Sequence, residues 1–128
     1  MKQPEALSEH SLGIAESIAT SFFPDFATNR NKAIECFGID ASLNFQGNQA
    51  TGLSEIRLMI DSIPEISLKV VSYEAQTIQA PGSWTMVIVM GNCLFSDGNV
   101  YEFHSSVFVE ANEIEKKAFI RSMSFRYY

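Results

Sequence analysis

The chain has 128 residues and a mass of 14.3 kDa, with 46% apolar and 19% charged residues, the size and balance of one globular domain. Its net charge is −6 and its pI about 4.8, so nine Lys and Arg against fifteen Asp and Glu argue against the clustered positive charge that binding a phosphate backbone or an anionic membrane surface requires. The longest apolar run, Met86 to Met90, is strand-sized and far short of the roughly 20 residues of a membrane span.

The first third reads as helix. Leu7, Ser11, Ile14, Ile18 and Phe22 recur at three- and four-residue spacing, and Ala15, Ala19, Phe23 and Phe26 widen the stripe. Pro24 is expected to limit this helix, because it lacks an N–H and disfavours helical geometry at Phe23. Thr28 or Asn29 is placed to cap a short second helix carrying Ala33, Ile34 and Phe37, and Gly38 to stop it. Asp40 to Phe45 then reads as a strand, Gln46-Gly47-Asn48 as a turn, and Gln49 to Thr51 as a short return strand. Thr51 is placed to cap a third helix with Leu53, Ile56, Met59, Ile60 and Ile63 on its apolar face, closed by Pro64.

From Ser67 onward the chain reads as strands. Leu68 to Ile78 is one long strand, bent or bulged where its apolar phase shifts at Val70-Val71. Ala80-Pro81-Gly82 is a turn, Trp84 to Phe95 a strand, and Ser96-Asp97-Gly98-Asn99 a hairpin turn. Val100 to Glu110 runs back, Asn112 to Lys116 is a polar loop, and Lys117 to Tyr128 is the last strand. In that last strand, Ile120, Ser122, Ser124, Arg126 and Tyr128 are expected on one face, and Phe119, Arg121, Met123, Phe125 and Tyr127 on the other. The order predicts an α+β fold, with helices on one side of an antiparallel sheet.

A sheet covered by helices on one side should alternate apolar and polar residues, and here the alternation fails. In Trp84 to Phe95, one set is Thr85, Val87, Val89, Cys93 and Phe95; the other is Trp84, Met86, Ile88, Met90 and Leu94, interrupted by Asn92. Covering three residues such as Met86, Ile88 and Met90 contributes several kcal/mol at about 25 cal/mol per Å². Either a partner protein covers the second face, or the N-terminal helix wraps round to it.

Cys36 and Cys93 have no Cys or His neighbours at metal-ligand spacing, so reduced, buried thiols in an intracellular protein are expected, with no metal and no cofactor. Met1-Lys2-Gln3-Pro4-Glu5 lacks the pattern of a secretory signal.

The stretch Asp40-Ala41-Ser42-Leu43-Asn44-Phe45-Gln46-Gly47-Asn48-Gln49-Ala50-Thr51-Gly52, the strand glycine Gly91, the pair Phe103-His104 and the ending Ser124-Phe125-Arg126-Tyr127 together resemble the nuclear transport factor 2 family over about residues 14–128. The resemblance implies a cone: a strongly bent sheet with three helices packed on its concave side, as one domain spanning residues 1–128. Within the family, the homodimeric branch that carries Ran-GDP into the nucleus has Trp-Glu-Gly at the first hairpin, where this chain has Phe45-Gln46-Gly47. A neutral amide forfeits the charge-assisted bond a carboxylate makes to a lysine. The export branch, a small subunit that heterodimerises with a large mRNA export receptor, is similar to this chain in Gln46-Gly47-Asn48 and in Ile63-Pro64-Glu65-Ile66-Ser67-Leu68-Lys69-Val70-Val71. The segment Thr28-Asn29-Arg30-Asn31-Lys32 is less basic than that branch has it.

The resemblance assigns Arg126 to an acidic residue of the large subunit; the other reading of Arg126 is a solvent-facing strand residue. It places Ile88, Ser106 and Ser124 on the same interface, and alternation adds Met86, Met90, His104 and Phe108. Phe45 and Gln46 are expected at the mouth of the cone's cavity. The implied partners are the export receptor or a second copy of the chain, with Phe-Gly nucleoporins reached indirectly and no direct nucleic acid or membrane contact. The implied location is the nucleus and nuclear pore, with shuttling to the cytoplasm. The fold family also contains steroid isomerases and a dehydratase, and Asp40, His104 and Tyr73 are the acid–base candidates here. No convergent pair is visible among them, so a binding subunit rather than a catalyst is expected.

Overall fold

The computed structural model describes residues 9–79, 83–112 and 117–128. Six strands form one curled, mixed sheet in the order β2-β1-β6-β5-β4-β3, where β1 is Phe37–Phe45, β2 Asn48–Thr51, β3 Ile66–Gln79, β4 Ser83–Phe95, β5 Val100–Asn112 and β6 Lys117–Tyr127. All neighbours are antiparallel except β1 and β6, which run parallel, so the sheet is not antiparallel throughout as expected. Parallel pairing needs a long crossover, and β2 to β5 supply it.

The first helical rod comprises α1 (Glu9–Ser17), a π-helical stretch (Ile18–Phe22) and α2 (Phe23–Thr28). Pro24 does not end it. Backbone angles stay helical through Ser17, Phe22 and Phe23, and the Phe23 N–H bonds back to the Ile18 carbonyl. This i→i−5 turn is wider than an α-turn and makes room just where the proline ring would clash. A second helix, α3 (Arg30–Ile34), starts at Asn29 without a side-chain cap bond and stops before Phe37, so Gly38 lies inside β1 rather than at a helix end. The third helix is α4 (Leu53–Ser62); its N-cap is Gly52 at φ 85, not Thr51. Arg30 ties α3 to the far end of α4, donating to the carbonyls of Ile60 (3.0 Å), Ile63 (2.6 Å) and Pro64 (2.7 Å), where a cation also suits the helix dipole.

The core lies between the helices and the inner face of the sheet. Ile14, Ile18, Phe22, Phe23 and Phe26 meet Val87 and Val89 of β4, Phe103 and Val107 of β5, and Ile120, Met123 and Phe125 of β6. Phe23 stands edge-on to Phe103 at 5.6 Å, which suits ring quadrupoles. Ser105, buried on this inner face, donates to the Ser124 carbonyl at 2.6 Å.

Register shifts, in β1 between Phe37 and Ser42, in β3 and in β6, set which residues face outward. In β3 the register slips between Val70 and Ser72, as the phase shift predicts. In β6 the slip falls at Arg121: Ile120 pairs with Val109 and Ser122 with Phe108. Ile120 therefore turns inward with Met123 and Phe125, and the expected grouping of Ile120 with Ser122 and Arg126 is corrected. The expected turn at Ala80-Pro81-Gly82 lies outside the described residues, as does most of the loop from Asn112 to Lys116.

Candidate functional site

The helices occupy the concave side, where α1 and α2 pack on β3, and among the described residues none covers the convex face of β4, β5 and β6. Cross-strand register gathers all eight expected contact residues there in three rungs. Met86 faces Phe108, which faces Ser122; Ile88 faces Ser106, which faces Ser124; Met90 faces His104, which faces Arg126. Residues directly opposite across strands are neighbours on one face, so this is one continuous patch. Ser122, expected on the face of Ser124 and Arg126, joins the patch there through its pairing with Phe108. The rungs continue into β3 through Gln76, Glu74 and Ser72, and the upper two continue into β1 through Ser42 and Asn44.

The patch is apolar at one end and cationic at the other. Met86, Ile88 and Phe108 are half-buried by their neighbours, while Met90 is 38% exposed. Leu94 and Val100, paired across the strands, extend exposed apolar surface toward the hairpin turn. At the third rung, the His104 ring lies 5.3 Å from Tyr128, and Tyr128 is held by two backbone bonds to Glu102. Arg126 is exposed and has no ion-pair partner among the described residues; the Arg121–Glu110 contact at 3.8 Å lies farther along the sheet. Such a surface can recognise another protein: apolar centre, hydroxyls between, and a free guanidinium at the rim.

Phe45 and Gln46, expected at the mouth of the cone's cavity, lie at an end of the sheet packed with aromatic rings. Phe45 stacks on Phe125 at 5.2 Å with planes 6° apart, and Phe95, Tyr101 and Tyr127 close the same end with ring contacts of 5.0–5.4 Å. The Gln46 side chain pairs with the Tyr127 backbone, accepting its N–H at 2.7 Å and donating to its carbonyl at 3.2 Å. Gln46 still borders a shallow depression of about 200 Å³ with Arg126, Tyr127 and Tyr128.

The acid–base candidates do not converge. Asp40 is exposed on β1 and Tyr73 sits on β3, four strand positions away, about 19 Å measured along the curled sheet at the usual inter-strand spacing. His104 is on the convex face. No group of three or more metal-ligating side chains occurs among the described residues.

No family model matches the chain, and no curated protein does. Solved structures do. Nuclear transport factor 2 from Cryptosporidium parvum superposes with TM-score 0.81 at 18% identity, over 96% of this chain and 98% of that one. The Mtr2–Mex67 M domain complex of Candida albicans gives 0.72 at 12% identity, over 93% and 96%. A ketosteroid isomerase-like protein from Parabacteroides distasonis gives 0.71 at 15% identity, over 90% and 88%. These likenesses establish the fold, a curled α+β cone of the nuclear transport factor 2-like kind, and a shared fold does not fix a function.

Proposed function

We propose that the protein is a non-catalytic transport subunit whose convex sheet face docks on the homologous domain of a large mRNA export receptor and so supports nuclear export through the pore. The observation that carries this reading is the three-rung patch of Met86–Phe108, Ile88–Ser106–Ser124 and Met90–His104–Arg126, apolar at one end, cationic at the other, and uncovered by helices among the described residues. The Candida neighbour is a complex of one such subunit with a partner protein, the arrangement proposed here. Arg126, lacking a carboxylate within the described residues, is the group a partner's acidic side chain would engage, as a two-point contact that fixes orientation. Phe-Gly nucleoporins would be met by the complex rather than by this chain alone, and the protein would shuttle between nucleus and cytoplasm. The net charge of −6 argues against direct contact with RNA or an anionic membrane, and the proposed role calls for no cofactor.

The alternative is a homodimer that carries Ran-GDP. Gln46 speaks against it: the amide is neutral and both its hydrogen-bonding atoms are engaged by Tyr127. Catalysis of the isomerase kind is disfavoured by the separation of Asp40, Tyr73 and His104.

The test is mass in solution, alone and with the cone domain of a candidate export receptor. A one-to-one complex is expected. A stable monomer that ignores every such domain refutes the proposal, and a self-dimer that binds Ran-GDP establishes the alternative.

A further inference from the structure

A second concavity lies at the opposite end of β6 from Phe125 and Tyr127, with a volume of about 670 Å³. Ile14, Ile18 and Phe22 of the first helical rod form one wall, and Val109, Ala118 and Ile120 of the sheet form the other. Packed interiors leave few voids larger than a water molecule, whereas cavities of roughly 300–1,000 Å³ are typical of small-molecule sites. An apolar wall offers water too few partners to hold it in order.

The polar groups at this cleft are few and gathered. Ser17 and Ser21 line it one helical turn apart, the second on the π-helical stretch. Asp25, Lys32 and Cys36 form another margin: the Cys36 thiol donates to the Lys32 carbonyl at 3.7 Å, and burial, then the Asp25 and Glu35 carboxylates, push the thiol above its ordinary range against the opposing pull of Lys32. The thiol thus stays protonated at neutral pH and is a poor nucleophile, so occupancy of the cleft is non-covalent. The charged groups that line the cleft are Asp25 and Lys32, one of each sign, which gives an anionic head group no net attraction.

We infer that this cleft binds an uncharged, mainly apolar small molecule bearing one hydrogen-bonding head group. The apolar body lies along Ile14, Ile18, Phe22 and Ile120, and the head group meets the serine hydroxyls or the Asp25 margin.

The probe is N-phenyl-1-naphthylamine, neutral and fluorescent in apolar surroundings, titrated into the full chain and displaced with 1-decanol or decanoate. Saturable binding is expected, with 1-decanol displacing it more strongly than decanoate. Ser21→Trp, which fills the cleft from an exposed rim position, should weaken binding roughly tenfold or more, and Ser17→Trp serves if the first variant fails to fold. Ile88→Glu, on the convex face, should leave binding unchanged, which keeps this inference separate from the export reading. No saturable binding, binding lost in Ile88→Glu but kept in the cleft variants, or stronger displacement by decanoate would each overturn it. So would binding that arises only after residues 1–8 are deleted, because the chain itself would then be the occupant.

Discussion

The side-chain amide of Gln46 completes the sheet ladder beside Tyr127, accepting that residue's N–H at 2.7 Å and donating to its carbonyl at 3.2 Å. Gln46 holds φ at 52, unusual for a residue with a side chain, and its own N–H reaches the Phe125 carbonyl at 3.0 Å. The first hairpin is thereby stitched to the last strand beside Arg126. An amide does this because it both donates and accepts; a carboxylate only accepts. Gln46→Glu should therefore lower stability by about 1 kcal/mol, at most, for this exposed pair, read as a shift in the urea midpoint at unchanged slope.

Ile88→Glu should abolish association with the partner domain and leave the monomer folded. Ile88 sits at the centre of the three rungs, on the face away from the core, so the carboxylate is desolvated only when a partner covers it. The check is loss of the complex by light scattering with the melting temperature of the isolated chain kept. Unfolding instead would put Ile88 in the core.

Arg126→Ala should weaken the complex by roughly 2–5 kcal/mol if the guanidinium meets a buried partner carboxylate, and by less than about 1 kcal/mol if the contact is at the rim. Calorimetric titration at two salt concentrations separates the cases, since a rim contact also fades with salt.

Gly91→Ala should cost several kcal/mol, or about 3, although it adds one methyl group. A Cβ at Gly91 would lie 1.9 Å from the Lys69 carbonyl oxygen and 3.0 Å from the Val70 Cα, both backbone atoms of the bulged edge strand. The bulge and the glycine require one another. Thermal denaturation of G91A beside Gly98→Ala gives the comparison, because nothing lies within 4 Å of a Cβ at Gly98 and the cost there comes from its φ of 90 alone.

Much of this architecture is legible in the residue pattern. The alternation in Trp84–Phe95 and Val100–Glu110 places Met86, Ile88, Met90, His104 and Phe108 correctly on one face, because a period of two survives wherever pairing is regular. The pattern fails where one extra residue resets the phase. Arg121 carries no mark that distinguishes a bulge from ordinary strand, so Ile120 is misassigned, while Ser122, past the bulge, keeps the phase of Ser124 and Arg126. Pro24 misleads for a related reason: a proline penalises the α-turn before it, but a π-turn evades the penalty, and the burial of Ile18, Phe22 and Phe23 rewards continuing the rod. Phe45 is placed at a cavity mouth by its position in the hairpin, whereas its ring contacts with Phe125 and Tyr127, some eighty residues on, form only in three dimensions. The apolar cleft under Ile14 and Ile18 leaves no trace in the sequence, since its walls come from segments a hundred residues apart, such as Ile18 and Ile120.

The parallel seam between β1 and β6 has a consequence for synthesis. Until β6 is made, the nascent chain holds two unjoined pieces, the β1–β2 hairpin and the β3–β5 meander, and the edges of β1 and β5 that β6 pairs stand open. A ribosome that stalls before Lys117 thus releases a species rich in bare rings and unpaired strand edges, a natural client for chaperones and proteases. The gap closes only when that final ribbon slides between its two neighbours, so surveillance of truncated copies is written into the order in which the strands emerge.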